Sequence, residues 1–237
     1  MTQTQRLKNK VALITGASRG IGAEVAKAYA KEGAHVILIA RTVGGLEEVD
    51  DIIQQNGGQS TLLPFDLMKL SEIEKIGASI AERFKRLDIF VGNAGILGAL
   101  SPVAQSDPKM WKKVFDINFF ANQRFIRTLD PLLRGSDAGR AIFVTSGAAQ
   151  SHTPFWAPYA ASKAALETMV NTYANEVQQS PLKVNILDPG VVRTDMRAEA
   201  FPGEDAQTLQ APETIIEKFI ELAIDNCSLH GQIIKAA

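Results

Sequence analysis

Val11-Ala12-Leu13-Ile14-Thr15-Gly16-Ala17-Ser18-Arg19-Gly20-Ile21-Gly22 is the stretch that decides the fold. Its first five residues are an apolar run of strand length. The chain then turns through three glycines into an Ala-rich segment, 21–32, that stops at Gly33 and reads as a helix. Glycines in such a turn permit a tight bend, close approach of the backbone to a pyrophosphate, and close packing of helix on strand. The helix start offers unpaired N–H groups and the positive end of its peptide dipoles to phosphate. A glycine-rich turn used for geometry alone has the same composition. This one occupies the first strand-to-helix turn, where phosphate binding requires it, and so implies a bound dinucleotide.

Working outward, the chain alternates. Residues 35–40 (HVILIA) are a second buried strand, 46–55 a helix ending at Gly57-Gly58, and 61–65 a strand closing on Asp66. A charged amphipathic helix over 70–86 precedes a fourth strand, 88–91. Asp107 as N-cap with Pro108 in the first turn starts a long helix toward Leu133. After a loop at 135–139 come strand 141–145, helix 157–175, strand 183–187, an irregular stretch 196–212, helix 213–224 and a last strand, 232–235. Continuous apolar runs alternating with helices predict a parallel sheet covered on both faces. With right-handed crossovers this is an α/β, doubly wound sheet of Rossmann type, about seven strands in one domain over 1–237.

Composition narrows the function. At 237 residues the chain suits one domain with a real core. A hydrophobic content of 46%, a charged content of 22% and a net charge of -1 leave no basic footprint for nucleic acid or an anionic membrane. A single cysteine, Cys227, excludes an internal disulfide and a structural zinc site, and fits a reducing, cytoplasmic setting. The polar segment 1–10 has no apolar core, so no signal peptide is expected, and no run approaches the ~18 apolar residues of a membrane span.

A second motif is Tyr159-Ala160-Ala161-Ser162-Lys163, read on a helix. Positions four apart stack on one helix face. A phenol titrates near ~10, and a nearby cation lowers that value. Reaching about 7 takes roughly 4 kcal/mol, at ~1.36 kcal/mol per unit. Lys163 is expected to supply part of this and a bound cationic cofactor more. Surface helices also produce such spacings by chance.

Together with Asn93-Ala94-Gly95 after strand four and Pro189-Gly190 after strand six, these motifs resemble the short-chain dehydrogenase/reductase superfamily, in its compact single-domain branch. The resemblance covers nearly the whole chain, with the motifs in the family's order. Residues 196–209, with Ala200-Phe201-Pro202 and Glu204-Asp205, also resemble a bacterial subgroup of uncharacterised oxidoreductases. The resemblance implies that Tyr159 is the general acid protonating the substrate oxygen and that Lys163 lowers its pKa and holds the nicotinamide ribose. It implies that Ser146 hydrogen-bonds the carbonyl, where charge develops in the transition state, and that Asn118 helps relay protons through water to Lys163. For the cofactor it implies Gly16, Ser18, Arg19, Gly20, Ile21 and Gly22 in the first turn, and Asp66 with Leu67 at the adenine. Asn93, Ala94 and Gly95 would lie along the cofactor, and Pro189, Gly190, Val192 and Thr194 would grip the carboxamide. It further implies a homodimer or homotetramer sharing a face that Trp111, Phe115, Phe119, Met169 and Tyr173 would supply. Residues 195–212 are expected to be a substrate lid, mobile over 196–209 without ligand because lids are drawn from segments of low stability. Departures are Gly92 where the family has Asn, Thr145 where it has Ser, and an end at Lys235-Ala236-Ala237 without the usual Asp-Gly-Gly.

Cofactor choice follows from charge. A site for NAD places an acid about 20 positions past the glycine turn, on the ribose 2′-OH. Strand two ends instead on Ala40, followed by Arg41, and Arg19 lies in the turn. Two guanidinium groups can fork onto a 2′-phosphate, so NADP is expected. The competing reading pairs Arg41 with Glu47 or Glu48, an exposed bond worth ~0–1 kcal/mol. His152 reads as a loop histidine, Phe155 and Trp156 either line the pocket or pack between subunits, and Glu47, Glu48, Asp50 and Asp51 are a solvated face. The expected function is an oxidoreductase moving hydride between NADP(H) and a small carbonyl or secondary alcohol, with no metal, nucleic-acid or membrane partner. One rival is a non-catalytic dinucleotide-binding regulator on the same fold, a kind of protein that typically lacks the Tyr or Lys. Another is an epimerase or dehydratase of the extended branch, whose chains are longer and spaced differently in glycine.

Overall fold

The computed structural model describes residues 5–236; the start of the polar 1–10 segment and the final Ala237 lie outside them. β1 (Val11–Thr15) leads through the glycine turn into α1 (Gly20–Lys31), β2 (His35–Ala40), α2 (Val43–Gln55), β3 (Gln59–Pro64), α3 (Ile73–Phe84) and β4 (Ile89–Gly92). α4 (Pro108–Phe115) and α5 (Ala121–Arg134) flank a π turn at Asp116–Phe120. β5 (Arg140–Val144), α6 (Ala148–Ser151), α7 (Ala157–Glu176), β6 (Lys183–Asp188), α8 (Asp195–Ala200), α9 (Ile216–Ala223) and β7 (Ile233–Lys235) follow. The strands form one parallel sheet in the order β3-β2-β1-β4-β5-β6-β7.

Strand residues point alternately to opposite faces, and both faces are apolar. Ile14, Val36, Leu38 and Val91 join α1, α2 and α9 in one core. Leu13, Ile37, Phe90, Phe143 and Ile186 join α3, α5 and α7 in the other. This doubly covered sheet is the expected α/β fold.

Local differences have local causes. α2 starts three residues before the expected 46, because Gly45 lets it begin against the glycine turn: a Cβ there would stand 3.1 Å from Ser18 Cβ. The helix expected over 70–86 is a 3₁₀ turn, Leu70–Glu72, then α3, ended by Lys85 in the left-handed region at φ 62°. Asp88 lies just before β4 with its backbone still hydrogen-bonded to Val11 O and Arg140 N, while its carboxylate accepts from Val11 N (2.9 Å) and Ser136 Oγ (2.6 Å). Asp107 caps α4 as expected, its side chain accepting from Lys109 N at 2.9 Å. The helix expected toward Leu133 runs without a gap from Pro108 to Arg134, with the π turn widening it at Asp116–Phe120. The stretch 196–212, expected to be irregular, carries α8 and a 3₁₀ turn at Ala206–Thr208, with Val192 bridged to Gln210.

β1 and β4 are neighbours, although the chain leaves β1 toward β2 and β4 toward β5 in opposite directions. Such a switch point opens a crevice outside the carboxyl ends of the strands. Thr15 spans it: its hydroxyl accepts from Asn93 N (3.0 Å) and Ala94 N (3.1 Å), and Asn93 Nδ2 donates to the Thr15 carbonyl (3.0 Å).

Gly22 supplies the close helix-to-strand packing, since a Cβ there would collide with the Gly16 carbonyl oxygen and stand 2.5 Å from Asn93 Nδ2. Gly22→Ala should therefore destabilise the protein by about 1–3 kcal/mol, a fall in Tm of roughly 2–4 °C per kcal/mol. Gly44→Ala, on a helical position with nothing within 4 Å, should be neutral or stabilising by up to about 1 kcal/mol. Thermal melts of the two variants beside the parent check the opposite signs.

Candidate active site

A cleft of about 490 Å³ lies over the switch point. The expected cofactor residues Gly16, Ser18, Arg19, Gly20 and Ile21, then Arg41, Asp66 and Leu67, line it. So do Asn93, Ala94 and Gly95 after β4, and Pro189, Gly190, Val192 and Thr194 after β6. Gly22 is absent from the lining, because it faces the turn beneath. Gly16 adopts φ +68°, and a Cβ on it would stand 3.0 Å from Ala94 Cα. α1 begins without a side-chain cap, leaving its first amides available to an anion. These features fit a dinucleotide pyrophosphate.

Ala40 and Arg41 lie side by side in the lining. Arg41 is exposed, and among the described residues it makes no ion pair with Glu47 or Glu48, which are exposed themselves. Arg19 reaches a partner that sequence reading missed: its Nε lies 3.5 Å from Asp195 Oδ2, both side chains largely exposed.

Ser146, at the end of β5, and Tyr159 and Lys163, on α7, line the same cleft. Asn118 is not in the lining. It is fully buried in the π turn, its Oδ1 accepting from Ile96 N (2.9 Å) and its Nδ2 donating to the Ile96 carbonyl (3.0 Å) and Ser162 Oγ (3.0 Å). Its side chain therefore anchors the loop after β4 to α7. Asn is a poor residue for a regular helix, and the π turn is the local irregularity that accommodates it; such turns recur at functional sites.

The expected lowering of the Tyr159 pKa is not found. Burial pushes the phenol up, the Ser146 hydroxyl draws it part-way back, and the Asp188 carboxylate raises it further. Lys163 Nζ lies 5.8 Å from the Tyr159 ring centroid and donates to the Val144 carbonyl at 2.8 Å. Burial draws its own ammonium down to about 8, against the pull of Glu167. Desolvation is the leading cause for both groups.

Two further buried side chains support this set. Glu167 is 9% exposed and accepts from Thr145 Oγ1 at 2.6 Å and Gln150 Nε2 at 3.4 Å. It stands four residues past Lys163 and eight past Tyr159, on one helix face, a spacing the sequence already displayed. Asn122 Nδ2 donates to the Asn118 carbonyl at 2.9 Å. A Cβ at Gly92 would collide with Asn122 Oδ1, which explains the missing Asn there. Only the packing reveals that partnership. Trp156 lines the cleft, whereas the exposed His152 and Phe155 do not. Tyr173, expected on a shared face, is interior, its hydroxyl donating to Asp130 Oδ1 at 2.8 Å. Among the described residues no His, Cys, Asp and Glu cluster could hold a metal ion, and no helix is long and apolar enough to cross a membrane.

A sequence model of the family described as short chain dehydrogenase matches residues 10–205. The chain belongs to the short-chain dehydrogenase family. This dehydrogenase is 39% identical over 223 residues to the uncharacterized oxidoreductase YciK of Escherichia coli (strain K12), covering 93% of this chain and 88% of that protein. It superposes with a TM-score of 0.94 and 37% identity on a short chain dehydrogenase from Salmonella enterica serovar Typhi, covering 100% of this chain and 99% of that one. A short chain dehydrogenase from Escherichia coli CFT073, complexed with NADPH, superposes with a TM-score of 0.91 and 38% identity, covering 98% of each chain.

The dehydrogenase's Glu167 offers a test by titration. A buried carboxylate favours the ammonium, so its loss must move the Lys163 midpoint further down. NMR of 13Cε-labelled lysine should show Lys163 titrating near pH 8 in the parent and at lower pH in Glu167→Gln. An unchanged midpoint would place Glu167 out of electrostatic reach.

Proposed function

We propose that this dehydrogenase transfers hydride between NADP(H) and a carbonyl or secondary alcohol of a small molecule. The observation that carries the reading is convergence: Ser146, Tyr159 and Lys163 share one cleft with the glycine turn, Arg19 and Arg41. The glycine turn and the first amides of α1 would hold the pyrophosphate, and Arg19 and Arg41 the 2′-phosphate, where Ala40 leaves no competing acid. When bound, the cofactor supplies or accepts the hydride.

The chain's own groups handle the proton. Ser146 Oγ donates a hydrogen bond to the substrate oxygen, where negative charge builds. Tyr159, kept protonated by burial, delivers its phenolic proton to that oxygen in reduction and takes it back in oxidation. Lys163, its charge favoured by Glu167, stabilises the phenolate left behind. Asn118 fixes the backbone of Ile96 and the Ser162 hydroxyl, holding the β4 loop against α7; a water relay to Lys163 would run past it. Residues 195–212 act as a substrate lid within the single domain, since Met196, Arg197 and Ala200 line the cleft. Trp111, Phe115 and Phe119 form a half-buried aromatic row, with 6.2 Å between successive centroids. That row supports an even-numbered homo-oligomer, and the lone Cys227 supports a cytoplasmic setting. No observation favours the non-catalytic reading.

Tyr159→Phe keeps the ring and removes the proton donor. Turnover should fall at least ~100-fold, the low end for general acid catalysis, while NADPH binding measured by fluorescence persists; near-normal turnover would refute the mechanism. NADPH should exceed NADH in kcat/KM, and Ala40→Asp with Arg41→Ile should reverse the preference. Equal values for the parent would overturn the cofactor assignment and leave the Tyr159 chemistry standing. Light scattering that finds a monomer would remove the oligomer.

A further inference from the structure

The cleft wall beside Tyr159 is built from rings. Trp156 meets the Tyr159 ring edge to face, with centroids 5.9 Å apart and planes at 74°. On its other side it tilts against Phe201, beyond α8, at 5.6 Å and 36°. The Arg197 guanidinium lies 3.8 Å over the centroid of the same Phe201 ring. Its charge is already paired, Nε and Nη2 each donating to a Glu204 oxygen at 2.6 Å. Ile96, Leu97, Met196 and Ala200 are apolar neighbours in the cleft lining.

The loop that presents Trp156 is held in an unfavourable conformation. His152 and Phe155 have φ of +51° and +75°, in the left-handed region that side chains with a Cβ avoid. Phe155 is tied back through its carbonyl, which accepts from Ser101 N at 3.1 Å. Outliers of this kind persist only where the surroundings over-determine them, and they gather at ligand sites. Here the outcome is an indole turned into the cleft.

We propose that Trp156 is a specificity-determining residue and that the substrate is an uncharged carbonyl compound with an aromatic or similarly flat apolar group next to the reacting carbon. This rests on the oxidoreductase reading above. A flat ring beside the carbonyl gains offset or edge contacts with the indole. An anionic group there would have to displace Glu204 from a short, two-point pair to reach Arg197. The Asp188 carboxylate, which acts on the Tyr159 phenol through its charge, would further disfavour a second negative charge beside that hydroxyl. The exposed Arg193 also lines the cleft, so an anion seated there is the competing outcome.

The test uses four carbonyl compounds with NADPH: methyl phenylglyoxylate, phenylglyoxylate, methyl pyruvate and pyruvate. The neutral aromatic ester should exceed both its own acid and methyl pyruvate in kcat/KM by about 10-fold or more, the scale of a small apolar group in a pocket. Trp156→Ala should bring the ratio of aromatic to aliphatic ester near one, and Trp156→Phe should retain it. Preference for either acid, no aromatic preference, or a ratio untouched by Trp156→Ala overturns the proposal while leaving carbonyl reduction intact. Failure of all four also overturns this substrate class; a wider panel of ketones and aldehydes then decides the oxidoreductase reading on its own.

Discussion

The reciprocal hydrogen bonds between Thr15 and Asn93 hold the carboxyl ends of β1 and β4 together at the point where the connections diverge. Everything functional is arranged around that seam. Both faces of the sheet are sealed by helices, so a polar ligand has access only at the edge. There the glycine turn, the loop after β4 and the end of β5 meet. Gly16 and Gly22 let these backbones approach closely, and no residue with a Cβ could stand at either position without moving Asn93 or its neighbours.

Burial dominates the electrostatics of the site. Tyr159, Lys163 and Glu167 form one stripe on α7, each largely removed from water. In water a lysine beside a tyrosine would lower its pKa. Here desolvation moves the phenol up and the ammonium down. The arrangement keeps a proton on Tyr159 and sets an anion behind Lys163. Removing that proton calls for positive charge brought into the cleft.

The two departures near the motifs each sit in a packed polar contact. Gly92 leaves room for Asn122, whose amide bonds the Asn118 carbonyl within the π turn. Thr145 places a hydroxyl on Glu167 while its backbone N–H continues the pairing with Leu187. In both cases the position packs against a polar side chain carried on a helix, Asn122 or Glu167. Beside Trp156 the charge of Arg197 is likewise met by a side chain, Glu204, rather than by solvent alone.

The sequence by itself determined the doubly wound sheet, the glycine turn, and most of the residues that line the cleft. Each of these is local: a run of apolar residues, a turn that only glycine allows, a spacing of four along a helix. Tertiary structure alone decided the π turn at Asn118, the short helix and 3₁₀ turn within 195–212, the partnership of Gly92 with Asn122, the interior place of Tyr173 and the turn of Trp156 into the cleft. These depend on which surfaces meet across the fold. Hydrophobic periodicity tells which face of an element is buried but not what it is buried against, and the direction of a pKa shift depends on that neighbour and on the water it excludes.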